Sequence, residues 1–206
     1  MRIITISRQF GSGGREVGKR LADALGFAYY DREIVSEIAR RMQLDEAYVA
    51  GTLDRGLTYN IPIHFGRSFG YVPAPVNNTA GIFAEQHKIL RELAAKGDCI
   101  IVGRAADVLL AEYEPFNVFV HASIAARVRR CQEHARADEN YSDKEMEKHI
   151  QRLDAERARY RALFADTEWG DAAAYHLCVN TTDREIKKLV PSIAAYITEW
   201  FAQKAR

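Results

Sequence analysis

Four residues near the N-terminus, Gly11-Ser12-Gly13-Gly14, separate an apolar β-branched run (Ile3, Ile4, Ile6) from a helical repeat with Val17, Leu21 and Leu25 on one face. A glycine turn between a strand and a helix presents several backbone N–H groups and the positive end of a helix dipole to one point, which suits a phosphate. Glycine serves there because it takes up positive φ, and because a Cβ would keep the backbone away from phosphate oxygens. The usual phosphate-binding loop ends Gly-Lys-Ser/Thr, with the lysine on the β- and γ-phosphates and the hydroxyl on Mg²⁺. Here Gly14, Arg15 and Glu16 hold those places. Arg15 is the nearest replacement for the lysine's charge, Arg8 is the other contender, and Lys19 lies a helical turn further on. A plain strand-to-helix turn is the competing reading.

Arginines supply the rest of the candidate chemistry. A guanidinium offers planar two-point contacts to phosphate oxygens and stays charged at physiological pH. Arg104 follows the apolar run Cys99–Val102, and residues 127–161 carry eight arginines against eight acidic residues, Arg127, Arg130 and Arg157 among them. Asp154 and Arg157 are three apart, on one helix face. A solvated helical hairpin laced with i,i+4 ion pairs explains the same charges. His121 has no second His or Cys at metal-ligand spacing and reads as structural.

The elements that must position these residues alternate. Short strands are expected at Phe27–Tyr30, Cys99–Val102, Phe116–Val120 and Tyr175–Val179, each followed by a helical pattern. Two helix starts carry a capping-box sequence, Ser142–Glu145 and Thr182–Glu185. Five strands interleaved with helices predict an α/β sandwich on a central parallel sheet, with any ligand at the carboxyl ends of the strands. Residues 54–80, rich in Pro, Gly and aromatic residues (Phe65, Phe69, Tyr71), break the alternation and read as a binding loop or lid. At 206 residues the chain suits one α/β domain with small insertions.

A formal net charge of +1 gives no reason to invoke nucleic acid or an anionic membrane. No apolar run approaches the ~18 residues of a membrane span. The three cysteines have no paired spacing; Cys99 and Cys178 read as buried in strands, which fits a reducing, cytoplasmic setting.

Together these features resemble nucleoside monophosphate kinases, most closely the cytidylate kinase-like family. The resemblance covers nearly the whole chain and is most specific at Ile4–Ala22. It continues at Asp31 after the second strand, at Gly103-Arg104, in the Arg127-Val-Arg129-Arg130 run and at Asp154-Ala-Glu-Arg157. It implies a P-loop sandwich with strand 1 central beside strand 3, an acceptor-binding insertion at 54–80 and a lid at 127–161. The implied activity is ATP-dependent, Mg²⁺-dependent phosphorylation of a nucleoside monophosphate, CMP or dCMP.

The resemblance also assigns roles. Gly11, Ser12, Gly13, Gly14, Arg15, Glu16 and Arg127 would hold the donor nucleotide, and Arg91, Arg104, Asp31, Asp154 and Arg157 the acceptor. Arg15, Asp31, Arg104, Arg130 and Arg157 would act on the transferred phosphoryl group, with Glu16 and Asp31 toward Mg²⁺. Two departures favour a rival, a nucleotide-binding homologue that has lost catalysis: the missing lysine and hydroxyl, and Val102 where cytidylate kinases place an acid before Gly-Arg. A kinase for another small molecule is a third reading.

Overall fold

The structure, a computed structural model, describes residues 1–55, 78–134 and 141–204. The strands are β1 (Ile3–Arg8), β2 (Ala28–Tyr30), β3 (Cys99–Val102), β4 (Phe116–His121) and β5 (Leu177–Asn180). They form one parallel sheet in the order β2-β3-β1-β4-β5. β1 is central beside β3, as the resemblance implies. The helices are α1 (Gly14–Leu25), α2 (Glu33–Met42), α3 (Glu46–Arg55), α4 (Thr79–Ala95), α5 (Ala106–Leu109), α6 (Ile124–Glu133), α7 (Asp143–Ala162) and α8 (Ile186–Lys204).

Alternation along the strands sorts two core layers. Ile3, Cys99 and Ile101 face α2, α3 and α4 through Ile34, Ile38, Leu53 and Leu90. Ile4, Ile6, Ile100 and Val102 face α1 and α8 through Val17, Leu21, Ile186 and Ile197. A parallel strand covered on both faces is mostly apolar, as β3 is throughout, and the buried Thr5 of β1 is satisfied by donating to Asn117 Oδ1 of β4 at 2.7 Å. A smaller cluster of Val128, Met146 and Ile150 joins α6 to α7 and reaches Phe10 beside the glycine turn. The arginine-rich segment is thus two packed helices with an apolar seam.

Three sequence expectations shift. β5 begins at Leu177, two residues later than expected, because Tyr175 turns under Phe119 with ring centroids 5.0 Å apart. β5 is an edge strand, and Cys178 is exposed rather than buried. The Ser142–Glu145 capping box forms, whereas Thr182–Glu185 does not cap a helix. Thr182 Oγ1 accepts from Ser123 N at 2.8 Å, Asp183 takes φ 53°, and α8 starts only at Ile186. Most of the 54–80 segment, including Phe65, Phe69 and Tyr71, lies outside the described residues. Among the described residues no helix is long and apolar enough to cross a membrane.

Candidate functional site

β1 ends at Arg8 and α1 begins at Gly14, so the glycine turn lies at the carboxyl edge of the sheet. Gly13 sits before the helix at φ 80°, and no side chain caps it. The first helix-type amide bond is from Val17 N to Gly13 O at 3.0 Å. The amides of Gly14, Arg15 and Glu16 therefore have no carbonyl within the helix and suit an anion.

The turn is fastened from behind through two carbonyls, a hydroxyl and an amide. Arg130 Nη1 donates to Gly11 O (2.9 Å), Thr181 Oγ1 to Ser12 O (2.7 Å), and Ser12 Oγ to Val120 O (3.0 Å). Phe10 N donates to Asp154 Oδ1 at 2.7 Å, and the other oxygen of Asp154 receives Arg127. A Cβ on Gly13 would lie 2.2 Å from Ile186 Cδ1. Any side chain there would have to displace the end of Ile186, and the positive φ expected from the sequence is what favours glycine.

Four guanidiniums converge in front of the turn. Arg8 runs between two glycines: a Cβ on Gly14 would lie 2.4 Å from its Cβ, and one on Gly103 1.9 Å from its Nη1. Its nearest carboxylate oxygen, Asp31 Oδ1, is 3.9 Å from Nη2. Arg15 Nε takes the other oxygen of Asp31 at 2.7 Å. Arg157 Nη1 donates to Arg8 O at 3.0 Å, and Arg104 Nη1 pairs with Asp54 Oδ1 at 3.3 Å. Burial, then the Arg157 guanidinium, pull the pKa of Arg8 down to about 9; Asp31 opposes them, and Arg104 and Arg15 add to the fall. Burial likewise lowers Arg157, with Asp154 opposing.

Arg104 is aimed by an unusual backbone. Gly103, Arg104 and Ala105 take φ 75°, 60° and 49° in succession, a conformation that costs non-glycine residues energy and is retained where the surroundings enforce it. Buried Gln86 enforces it here, donating to Arg104 O (3.3 Å) while exchanging hydrogen bonds with Tyr160 Oη on α7. At the next residue of α7, Arg161 Nε meets Asp107 Oδ2 at 2.9 Å in a buried pair, and Arg161 also donates to Thr167 Oγ1 at 2.9 Å. The end of α7 is thereby tied to the turn that carries Arg104.

Two clefts open on this edge. A cleft of about 210 Å³ runs from Arg8 past Arg104 to Leu53, Tyr160 and Trp169. A larger one of about 660 Å³ runs from Gly11, Gly13 and Gly14 past Arg130 and Cys131 to Tyr141 and His149. Arg8, Phe10, Arg15 and Arg157 line both.

Of the sequence candidates, Arg15, Arg104, Arg130 and Arg157 reach these clefts, and Glu16 lines the larger while paired with Arg20 at 2.7 Å. Asp31 is placed against Arg15 and Arg8. Ser12, Arg127 and Asp154 are brought behind the turn as its fastening and line neither cleft. Arg91 lines neither cleft and pairs with Glu112 at 3.1 Å on an exposed surface of α4. Sequence reasoning missed Asp54, Gln86, Asp107, Tyr160, Arg161 and Trp169. Only Arg161 carried a signal, as one of eight arginines with nothing local to single it out.

Residues 3–183 match the profile of the Cytidylate kinase-like family. The chain belongs to the cytidylate kinase-like family. Among solved structures it is similar to an uncharacterized protein from Eubacterium ventriosum, with TM-score 0.69 and 21% identity over 96% of this chain and 99% of that one. It is also similar to a shikimate kinase from Bacteroides thetaiotaomicron (0.56, 18%, over 98% of each chain). A gluconokinase from Sinorhizobium meliloti is a further neighbour (0.52, 15%, over 97% of this chain and 93% of that one). At these identities the likeness is one of fold: the P-loop kinase sandwich. A search of curated proteins finds no match.

In this member of the family, Val102 is buried in β3, its Cγ2 3.0 Å from where a Gly18 Cβ would lie. The position points into the core toward α1. Among the described residues, no three His, Cys, Asp or Glu side chains gather as a metal site.

Proposed function

We propose that this protein transfers a phosphoryl group from ATP, accompanied by Mg²⁺, to an anionic small molecule, with CMP or dCMP the leading acceptor. The meeting of two clefts at Arg8, Arg15 and Arg157 carries this reading. Phosphoryl transfer needs donor and acceptor aligned about one charged centre, with cations on the oxygens between them, and little covalent help from the protein. The larger cleft, floored by the uncapped start of α1, takes the donor polyphosphate. The smaller takes the acceptor, with Arg104 on its anionic group and Leu53, Tyr160 and Trp169 along its body. Arg130 and Arg157 bring charge from the lid at 127–161, and residues 54–80 complete the acceptor side of a single 1–206 unit.

The residues fit a polyphosphate, since the free amides and guanidiniums outnumber the nearby carboxylates. Mg²⁺ supplies charge neutralisation on the phosphate oxygens and needs only one or two protein carboxylates, the rest of its shell being water and phosphate. Asp31 and Glu16 are the carboxylates that would hold it. An ADP-release assay across CMP, dCMP, UMP, AMP, shikimate and gluconate tests the assignment. Turnover with CMP or dCMP well above the others supports it, and turnover with a sugar acid alone moves the acceptor class.

The apolar burial of Val102 favours one alternative, a nucleotide-binding protein with little catalysis. Mg²⁺ titration separates the two readings. The kinase requires ATP affinity and rate to depend strongly on the metal, and the binding protein requires neither.

A further inference from the structure

We infer that Arg8, and not Arg15, is the fixed cation that receives the donor's phosphate chain at the junction of the two clefts. The inference rests on the site being a polyphosphate site and adds which guanidinium makes it one.

Arg15 is half exposed, with 49% of its side chain accessible, and its Nε is already engaged by Asp31 at 2.7 Å. Arg8 is the reverse case. Its side chain is 14% accessible, and among the described residues its guanidinium donates no hydrogen bond; the 3.9 Å to Asp31 exceeds hydrogen-bond reach. Its five N–H donors thus have one distant carboxylate and three guanidiniums, Arg15, Arg104 and Arg157, around them. A cation so desolvated and so surrounded by like charge is costly to keep unless an anion completes the site.

Two glycines, Gly14 and Gly103, supply its seat, one under the stem and one beside the head. Packing on both sides holds the guanidinium in place, a preorganisation that the exposed Arg15 lacks. Arg8 also closes β1, the strand that leads into the turn, so its carbonyl is fixed by Arg157 while its head points to the junction. In the ordinary loop a lysine after the glycines brings the charge. Here the same charge arrives from before them.

Calorimetric titration with inorganic tripolyphosphate, in EDTA so that no divalent metal takes part, tests this without requiring turnover. The wild type is expected to bind. Arg8→Gln should bind at least tenfold more weakly, Arg8→Lys should fall between the two, and Arg15→Gln should lose less than Arg8→Gln. Lys19→Gln, a turn along α1, should match the wild type. Circular dichroism and urea midpoints establish that each variant is folded; if Arg8→Gln is not, Arg8→Lys against Arg15→Lys decides, with the larger loss expected at Arg8. Equal or larger losses at Arg15, or no tripolyphosphate binding by the wild type, overturn the inference. If Arg8→Gln abolishes binding while the wild type phosphorylates no acceptor, the inference stands and the kinase reading falls.

Discussion

Arg41 and Arg8 are each set among charged neighbours, under opposite conditions. Around Arg41, on the outer surface of α2, stand three carboxylates: Glu37 at 2.6 Å, Glu92 at 2.7 Å and Glu85 at 3.2 Å. Hydrogen bonds that it donates to Glu92 and Glu37 hold its pKa above the usual value. Around Arg8 stand three guanidiniums and one carboxylate out of hydrogen-bond reach, and its pKa falls. Arg161 is a third case, more deeply buried than Arg8 but partnered by Asp107 and Thr167. Arginine content therefore does not mark the site. A shortage of partners, facing a cavity, does.

The comparison can be broken most forcefully at Arg161. Arg161→Ala leaves Asp107 charged and unpaired in the core, and a loss of about 3–5 kcal/mol in urea unfolding is expected. Replacing Arg161 by Met and Asp107 by Leu together should cost less than Arg161→Ala alone; a larger loss would mean that the pair does more than satisfy itself. At Arg157 the expected result reverses: Arg157→Ala should lower the transfer rate at least about a hundredfold, as loss of a charge-stabilising donor does, without lowering the urea midpoint. A fall in the midpoint with an unchanged rate would place Arg157 with the structural arginines.

Ser142→Ala, which removes the capping box of α7, should cost about 1 kcal/mol of stability. It should leave tripolyphosphate affinity unchanged if the end of α7 held by Arg161 is what orients Arg157. Arg41→Gln is expected to have the smallest effect, with no change in rate and a midpoint shift below that of Ser142→Ala that fades with added salt.

What the sequence made legible was local. The runs of β1, β3 and β4 could be read because strands covered on both faces are mostly apolar, β3 wholly so, with Thr5 of β1 and Asn117 of β4 bonded to each other at 2.7 Å. The glycine turn and Arg104 were legible because each lies directly after a strand, and the lid arginines because they are concentrated in one charged segment. The pairings were not legible, because they join residues far apart: Gln86 with Tyr160, Asp107 with Arg161, Asp54 with Arg104. Arg91 was drawn into the site by its place before β3, and nothing nearby in sequence announces Glu112 as its partner. The helix start expected at Thr182 failed for a related reason, since its hydroxyl serves the amide of Ser123 across the sheet edge. Arg8 was visible as a candidate, yet its isolation from carboxylates is a property of four elements packed together.

The seat of Arg8 bears on how relatives of this chain are to be judged. Gly13 and Gly103 are held glycine by their positive φ (80° and 75°) and Gly14 by the Cβ of Arg8, so selection for a well-packed core would preserve all three even in a lineage that had stopped turning over nucleotides. The glycine fingerprint is then a record of architecture, and a relative that keeps it tells little about whether it still works. The informative position is the last residue of the first strand. Where that arginine has become neutral, the Cβ at its position still crowds Gly14 and a positive φ still holds Gly103, so the charge can be lost while the fingerprint stays.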